Sequence, residues 1–248
     1  MAKITTDKLA QLLATARATP PLENPEHAQE AVFKALLDAT VYAHVPLESP
    51  PKGVMRFTQF VRPDNGQTVL PFFSDREQAE VASANRRVAI VAMSGRRLFE
   101  LTRGATLMLN PNIDQVALYP PEIVALLEGR SLGYYALETL EESQQVGVCP
   151  PTVPTDELVY ALRDLFQRET TVRAAYLVEV HRGPDGADIF LLTTIVVPPA
   201  HKERLIHLIS LTIQSVSSYL TLPLSVSCVS PDTSLPDLCN HGIQFYGT

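Results

Sequence analysis

Two pairs of arginines are the first residues whose type and spacing suggest chemistry. Arg86-Arg87 and Arg96-Arg97 stand close in the chain, with Arg103 beyond, and Ser94-Gly95 leads directly into the second pair. If Ser94-Gly95 opens a helix, its unpaired N–H groups and dipole favour an anion. A guanidinium beside them can grip a carboxylate or phosphate through two hydrogen bonds. The expectation is a partner- or anion-binding face built from Arg86, Arg87, Ser94, Gly95, Arg96 and Arg97, serving an acidic protein surface more than a metabolite. The plain alternative is a solvated charged face.

Sulfur and imidazole come next. Cys149, Cys228 and Cys239 make an odd number of thiols with no Cys-x-x-Cys spacing, which reads as three reduced cysteines. Cys149 precedes Pro150-Pro151 and is expected on a loop. No Arg, Lys or His adjoins it in sequence to lower its pKa. His201 and His207 are too far apart to share a helical face at i,i+4 spacing. Asp237, Cys239 and His241 are close enough to ligate together, but read as a polar C-terminal turn. His44 and His181 read as surface or internally satisfied residues. Neither a P-loop nor a Gly-x-Gly-x-x-Gly fingerprint occurs, and Gly numbers only 11. The sequence therefore assigns no catalytic residue, no metal and no cofactor.

Composition narrows the partners. The formal net charge is -7, whereas nucleic-acid binders usually carry a basic surface that displaces counterions from phosphate. Nucleic acid is not expected. No apolar stretch approaches the ~18 residues that suggest a membrane span, and Asp7 and Lys8 interrupt any signal-like apolar core. No membrane association is expected, and the reading by elimination is cytoplasmic. Hydrophobic residues make up 46% of the chain, enough for a large core.

The elements that must position these residues follow from pattern and punctuation. Residues 1–24 read as a peripheral arm, broken at Thr19-Pro20-Pro21. Asn24-Pro25 starts a helix to about Asp38, and Thr40–Val45 is strand-like. Strands are expected at Met55–Val61 and Thr68–Phe73, joined through Asn65-Gly66. Ser74-Asp75-Arg76-Glu77 has capping-box spacing for a helix to about Ala84. Val88–Met93 reads as a strand buried on both faces. A short helix, a strand at Thr106–Leu109 and a helix from Pro121 to Gly129 complete residues 25–130. After a boundary near residues 130–136, residues 135–248 begin with a weak strand at Gln144–Val148. A helix from Thr155 follows, then strands at Val172–Val180 and Ile189–Val197 and a long helix after Pro198-Pro199. Strands at Leu224–Val229 and Ile243–Tyr246 end the chain. The fold class is α+β in two domains, each a mixed or mostly antiparallel sheet packed with helices.

Particular strings carry a resemblance. Val69-Leu70-Pro71-Phe72-Phe73-Ser74-Asp75, Thr106-Leu107-Met108-Leu109-Asn110-Pro111 and Pro121-Glu122-Ile123 resemble the N-terminal domain of the SseB (enhanced serine sensitivity) family. Cys149-Pro150-Pro151, Ala174-Ala175-Tyr176-Leu177 and Ile243-Gln244-Phe245-Tyr246 resemble its C-terminal domain. The resemblance spans roughly residues 28–130 and 135–247. It implies a bacterial cytoplasmic protein whose family name records a phenotype rather than a reaction, and it carries over no catalytic residue. Three functions remain open: a non-enzymatic binding or regulatory module with a protein partner, an enzyme or enzyme accessory in sulfur- or serine-related metabolism, and a structural component of a secretion or envelope complex.

Overall fold

The computed structural model describes residues 6–18, 25–48, 51, 53–83, 87–133, 146–183 and 186–247. The chain divides into two compact units, Met1–Tyr134 and Tyr135–Thr248. Each holds a sheet with helices, as an α+β composition requires.

In the first unit, helix α1 (Thr6–Ala18) packs on α2 (Pro25–Asp38). Leu9 and Leu13 of α1 are buried, so this part of the N-terminal arm belongs to the packed unit. Strands β1 (Thr40–Pro46), β2 (Phe60–Val61) and β3 (Thr68–Phe73) follow, then helix α3 (Arg76–Ser83), strand β4 (Val88–Ser94) and helix α4 (Gly95–Leu101). Strands β5 (Leu107–Leu109) and β6 (Val116–Leu118) and helix α5 (Pro120–Leu127) complete the unit. The sheet order is β4-β1-β3-β5-β6, with β2 also on β3. The β3–β5 pair is parallel and the others antiparallel. Gly66 takes a positive φ of 71 in the turn between β2 and β3, a conformation open to glycine at no steric cost. Leu36, Val41, Phe72, Phe99 and Leu107 are fully enclosed, and Phe72 meets Phe99 edge-on at 5.9 Å.

Two of the strings that carry the resemblance to SseB proteins meet in a polar staple in this unit. Asn110 follows β5, is buried, and has a positive φ of 44. Its amide donates to Ser74 Oγ at 3.0 Å, its carbonyl accepts from Ser74 N at 3.0 Å, and its own N–H donates to Phe72 O at 2.9 Å. The ends of β3 and β5 are thus joined by one side chain.

Four expectations need correction. The helix cap at α3 is Asp75, whose Oδ1 accepts from Gln78 N at 2.8 Å; Ser74 is committed to the staple instead. The strand expected at Met55–Val61 shrinks to Phe60–Val61. Strand β4 is not buried on both faces; it is an edge, and its residues are half-buried or exposed. Strand β6 is too short to show a period and went unexpected.

In the second unit, β7 (Val146–Cys149) leads to helix α6 (Asp156–Arg168), strands β8 (Ala174–Arg182) and β9 (Asp188–Val196) and helix α7 (Lys202–Val216). Strands β10 (Leu224–Val229) and β11 (Ile243–Tyr246) end it. The order is β10-β9-β8-β11, with β7 also paired to β8. Only the β9–β10 pair is parallel. One core gathers Leu158, Leu162 and Phe166 of α6, Leu205 and Leu208 of α7, and Ala175, Leu177, Leu191 and Ile195 of the sheet. Burying each large side chain contributes about 1.5–3 kcal/mol against chain entropy. A smaller cluster of Val178, Val180, Phe190 and Leu192 lies on alternate positions of the same strands, hence on the opposite face.

Candidate functional site

The chemistry that the fold assembles most tightly is in the second unit. Antiparallel pairing of β7 with β8 sets Cys149 opposite Glu179 and Gly147 opposite His181. Residues 179 and 181 lie two apart on one strand and share a face. Cys149 is therefore the direct neighbour of one and the diagonal neighbour of the other. Gly147 presents no side chain beside His181; a Cβ there would lie 3.6 Å from His181 Cβ.

The three groups converge. Cys149 Sγ lies 3.7 Å from His181 Nε2, and His181 Nε2 lies 2.9 Å from Glu179 Oε1. The other Glu179 oxygen, Oε2, accepts from the Thr152 N–H at 2.8 Å and the Thr152 hydroxyl at 2.7 Å. Pro150-Pro151 ends β7 and brings Thr152 over the carboxylate. Glu179 is buried, while Cys149 and His181 are half-buried. The hydroxyl and backbone N–H of Thr152 hold the Glu179 carboxyl below its ordinary range, against the opposing effect of burial. His181 adds a smaller push in the same direction. Among the described residues, this is the group of three whose ligand atoms lie within 4.8 Å of one another.

Both Cys149 and Glu179 face the same ring nitrogen. A nucleophile relay needs the thiol on one nitrogen and the carboxylate on the other, so the arrangement resembles a ligand set more than a relay. Sequence inspection missed it because Cys149 and His181 stand 32 positions apart. The available signal was strand pairing between the weak strand before Pro150 and the strand carrying His181.

The arginine face lies in the first unit. Arg86 falls outside the described residues, and Arg87 is exposed. Ser94 caps α4 by accepting from Arg97 N at 3.3 Å, and Gly95 N donates to Ala39 O at 3.0 Å. The Gly95 and Arg97 N–H groups are thus engaged within the chain. Arg96 is half-buried, and Arg97 is exposed with its guanidinium 3.8 Å from Glu100. Arg87 and the Arg96-Arg97 pair thus stand at opposite ends of β4.

Other candidates are placed plainly. Cys239 is buried in the short turn Asp237–His241, and burial raises its thiol pKa. Burial pushes the Cys228 thiol up to about 11. His44 is buried with Nε2 at 2.8 Å from Ala79 O. The chain contains one Gly-x-Ser-x-Gly string, Gly129-Arg130-Ser131-Leu132-Gly133. It follows helix α5 instead of turning from a strand into a helix, so it lacks the nucleophile-elbow context. Among the described residues, no helix is long and apolar enough to cross a membrane.

Comparison with known proteins bears on the whole chain. Residues 9–125 match the family described as SseB protein N-terminal domain, a match that begins inside the expected N-terminal arm. The chain is 27% identical over 194 residues to Protein SseB of Escherichia coli (strain K12), covering 76% of this chain and 72% of that protein. Protein SseB of Shigella flexneri matches with the same identity and coverage. An alignment of 194 residues is longer than Met1–Tyr134, so the similarity runs on into the second unit. No solved structure matches the chain.

Proposed function

We propose that this chain, which carries an SseB protein N-terminal domain over residues 9–125, is a non-enzymatic binding module that takes an extended acidic segment of a partner protein along strand β4. The observation that carries this reading is the edge itself. Strand β4 pairs with β1 from Thr40↔Ser94 to Pro46↔Val88 and ends the sheet. Gly95 N donates to Ala39 O, opposite it in the same register. Hydrogen-bonded pairs alternate in an antiparallel ladder. The N–H and C=O groups of Val88, Ile90 and Ala92 therefore face away from β1.

A strand of about 24 Å with outward backbone groups is a template for strand addition. Main-chain hydrogen bonds supply affinity there, and flanking side chains supply selectivity. Arg87 at one end and Arg96 and Arg97 at the other suit a segment with carboxylates at its two ends. The net charge of -7 makes this local basic stretch selective against the chain's own surface and disfavours nucleic acid.

The test is affinity capture with three full-length baits: wild type, Ala92→Pro, and Arg96→Glu with Arg97→Glu. Proline at an exposed edge position removes an outward N–H while leaving the bonds to β1. A stoichiometric partner captured by wild type and lost from both variants, each with an unchanged thermal melt, supports the reading. A partner retained by both variants, or none captured by wild type, removes it.

A further inference from the structure

We infer that Cys149 Sγ, Glu179 Oε1 and His181 Nε2 form a three-ligand site for a divalent transition metal of the zinc type, with a fourth position open to water or a ligand. Thiolate, imidazole and carboxylate are the donor set that zinc prefers. Their spacing fits as well. Zinc bond lengths and tetrahedral angles put ligand atoms about 3.3 Å apart for nitrogen and oxygen, and about 3.6 Å for sulfur and nitrogen. The observed separations are 2.9 Å for Glu179 Oε1 to His181 Nε2 and 3.7 Å for Cys149 Sγ to His181 Nε2. Shifts of a few tenths of an ångström bring these two separations to coordination values, and all three ligand atoms lie within 4.8 Å of one another.

The surroundings of the carboxylate point the same way. Thr152 binds Oε2 with two hydrogen bonds and leaves Oε1 facing His181 Nε2 at 2.9 Å. Outer hydrogen bonds of this kind fix a ligand carboxylate in one orientation. A buried glutamate needs such bonds, but anchoring the Pro150–Thr152 turn does not call for a thiol and an imidazole on its second oxygen. Strand pairing sets all three ligands on backbone that is already fixed, so little ordering is needed on binding. Cys149 and His181 are half-buried, so an ion has access from solvent.

Proton balance gives the pH sense. A metal takes cysteine as thiolate and imidazole through an unprotonated nitrogen, so protons compete with it for both ligands. Affinity therefore falls as pH falls.

The experiment uses the full chain, reduced and stripped with a chelator, titrated with zinc chloride and separately with cobalt chloride. One equivalent of either metal is expected, and cobalt should produce a thiolate-to-metal charge-transfer band. Cys149→Ser should abolish the band. His181→Asn, at a half-exposed position whose loss leaves the core intact, should weaken zinc binding by at least about tenfold. Thr152→Val keeps the backbone N–H but loses the hydroxyl, and should cost about tenfold. Cys228→Ser should leave band and stoichiometry unchanged. Substoichiometric uptake by wild type, a band that survives Cys149→Ser, or equal affinity in wild type and a normally melting His181→Asn would overturn the site. The site lies in the second unit and the edge strand in the first, so either proposal can fail without the other.

Discussion

Glu179 makes a direct residue-level prediction because its charge is buried and held by three donors. Its carboxyl sits below the ordinary range through Thr152 first and His181 second. A lowered native pKa stabilises the fold at pH values above the unfolded pKa, and that contribution disappears as pH falls through the native value. Glu179→Gln should therefore destabilise at neutral pH by about 1.5–3 kcal/mol, the usual worth of hydrogen bonds to a charged group. The gap should shrink below about pH 4.5, where the unfolded carboxyl protonates. His181 and Cys149 are the titratable groups facing it. Urea unfolding of the metal-free protein across this pH range measures the gap, and one that stays constant refutes the assignment. At this scale the sequence was partly legible. Cys149 and His181 were each singled out, but the imidazole that meets the thiol arrives from the adjacent strand, and local inspection sees only chain neighbours.

At the scale of elements, Gly95 shows what the junction of β4 with α4 demands. A Cβ built there would sit 1.9 Å from Leu36 O in α2. Gly95→Ala must therefore push α4 away from α2 or break the Gly95 N to Ala39 O bond. The expected loss is at least about 2 kcal/mol, at the upper side of ordinary overpacking. Gly104 has nothing within 4 Å of the same built atom, so Gly104→Ala should be neutral or stabilising by about 0.4–1 kcal/mol. Chemical denaturation of the two variants separates close packing from a general intolerance of larger side chains. Ser94-Gly95 read from sequence as an anion-binding opening; in the structure Ser94 caps α4 and Gly95 packs against α2. Caps, turns and apolar alternation made most elements legible: α2, β3, β10 and β11 match their expected spans within a residue or two. What escaped was pairing order. An apolar run such as Val88–Met93 looks alike whether it is central or at an edge, because its composition does not show which strands pair beside it. The strings resembling SseB were legible for a similar reason: Ser74 and Asn110 are held in place by hydrogen bonds to each other, a structural demand that says nothing of activity.

At the scale of the whole molecule, the division of the core sets the last expectation. The larger core cluster of the second unit, from Leu158 to Phe245, is drawn entirely from residues after Tyr135. The first unit has its own enclosed residues, and the SseB match at 9–125 lies within it. Domains with separate cores fold as separate units. Residues 1–134 and 135–248, expressed apart, should each unfold in a single cooperative transition. The second should also take up one equivalent of zinc, because Cys149, Thr152, Glu179 and His181 all lie inside it. Calorimetry of the two fragments beside the full chain measures this. Two fragment transitions that together account for the full-length heat of unfolding would make each unit an independent carrier of its own chemistry. A second fragment without a cooperative transition would mean that β7 and its ligand depend on contacts supplied by the rest of the chain. Metal uptake would then be a property of the intact protein alone, and the two proposed binding activities would be coupled through folding.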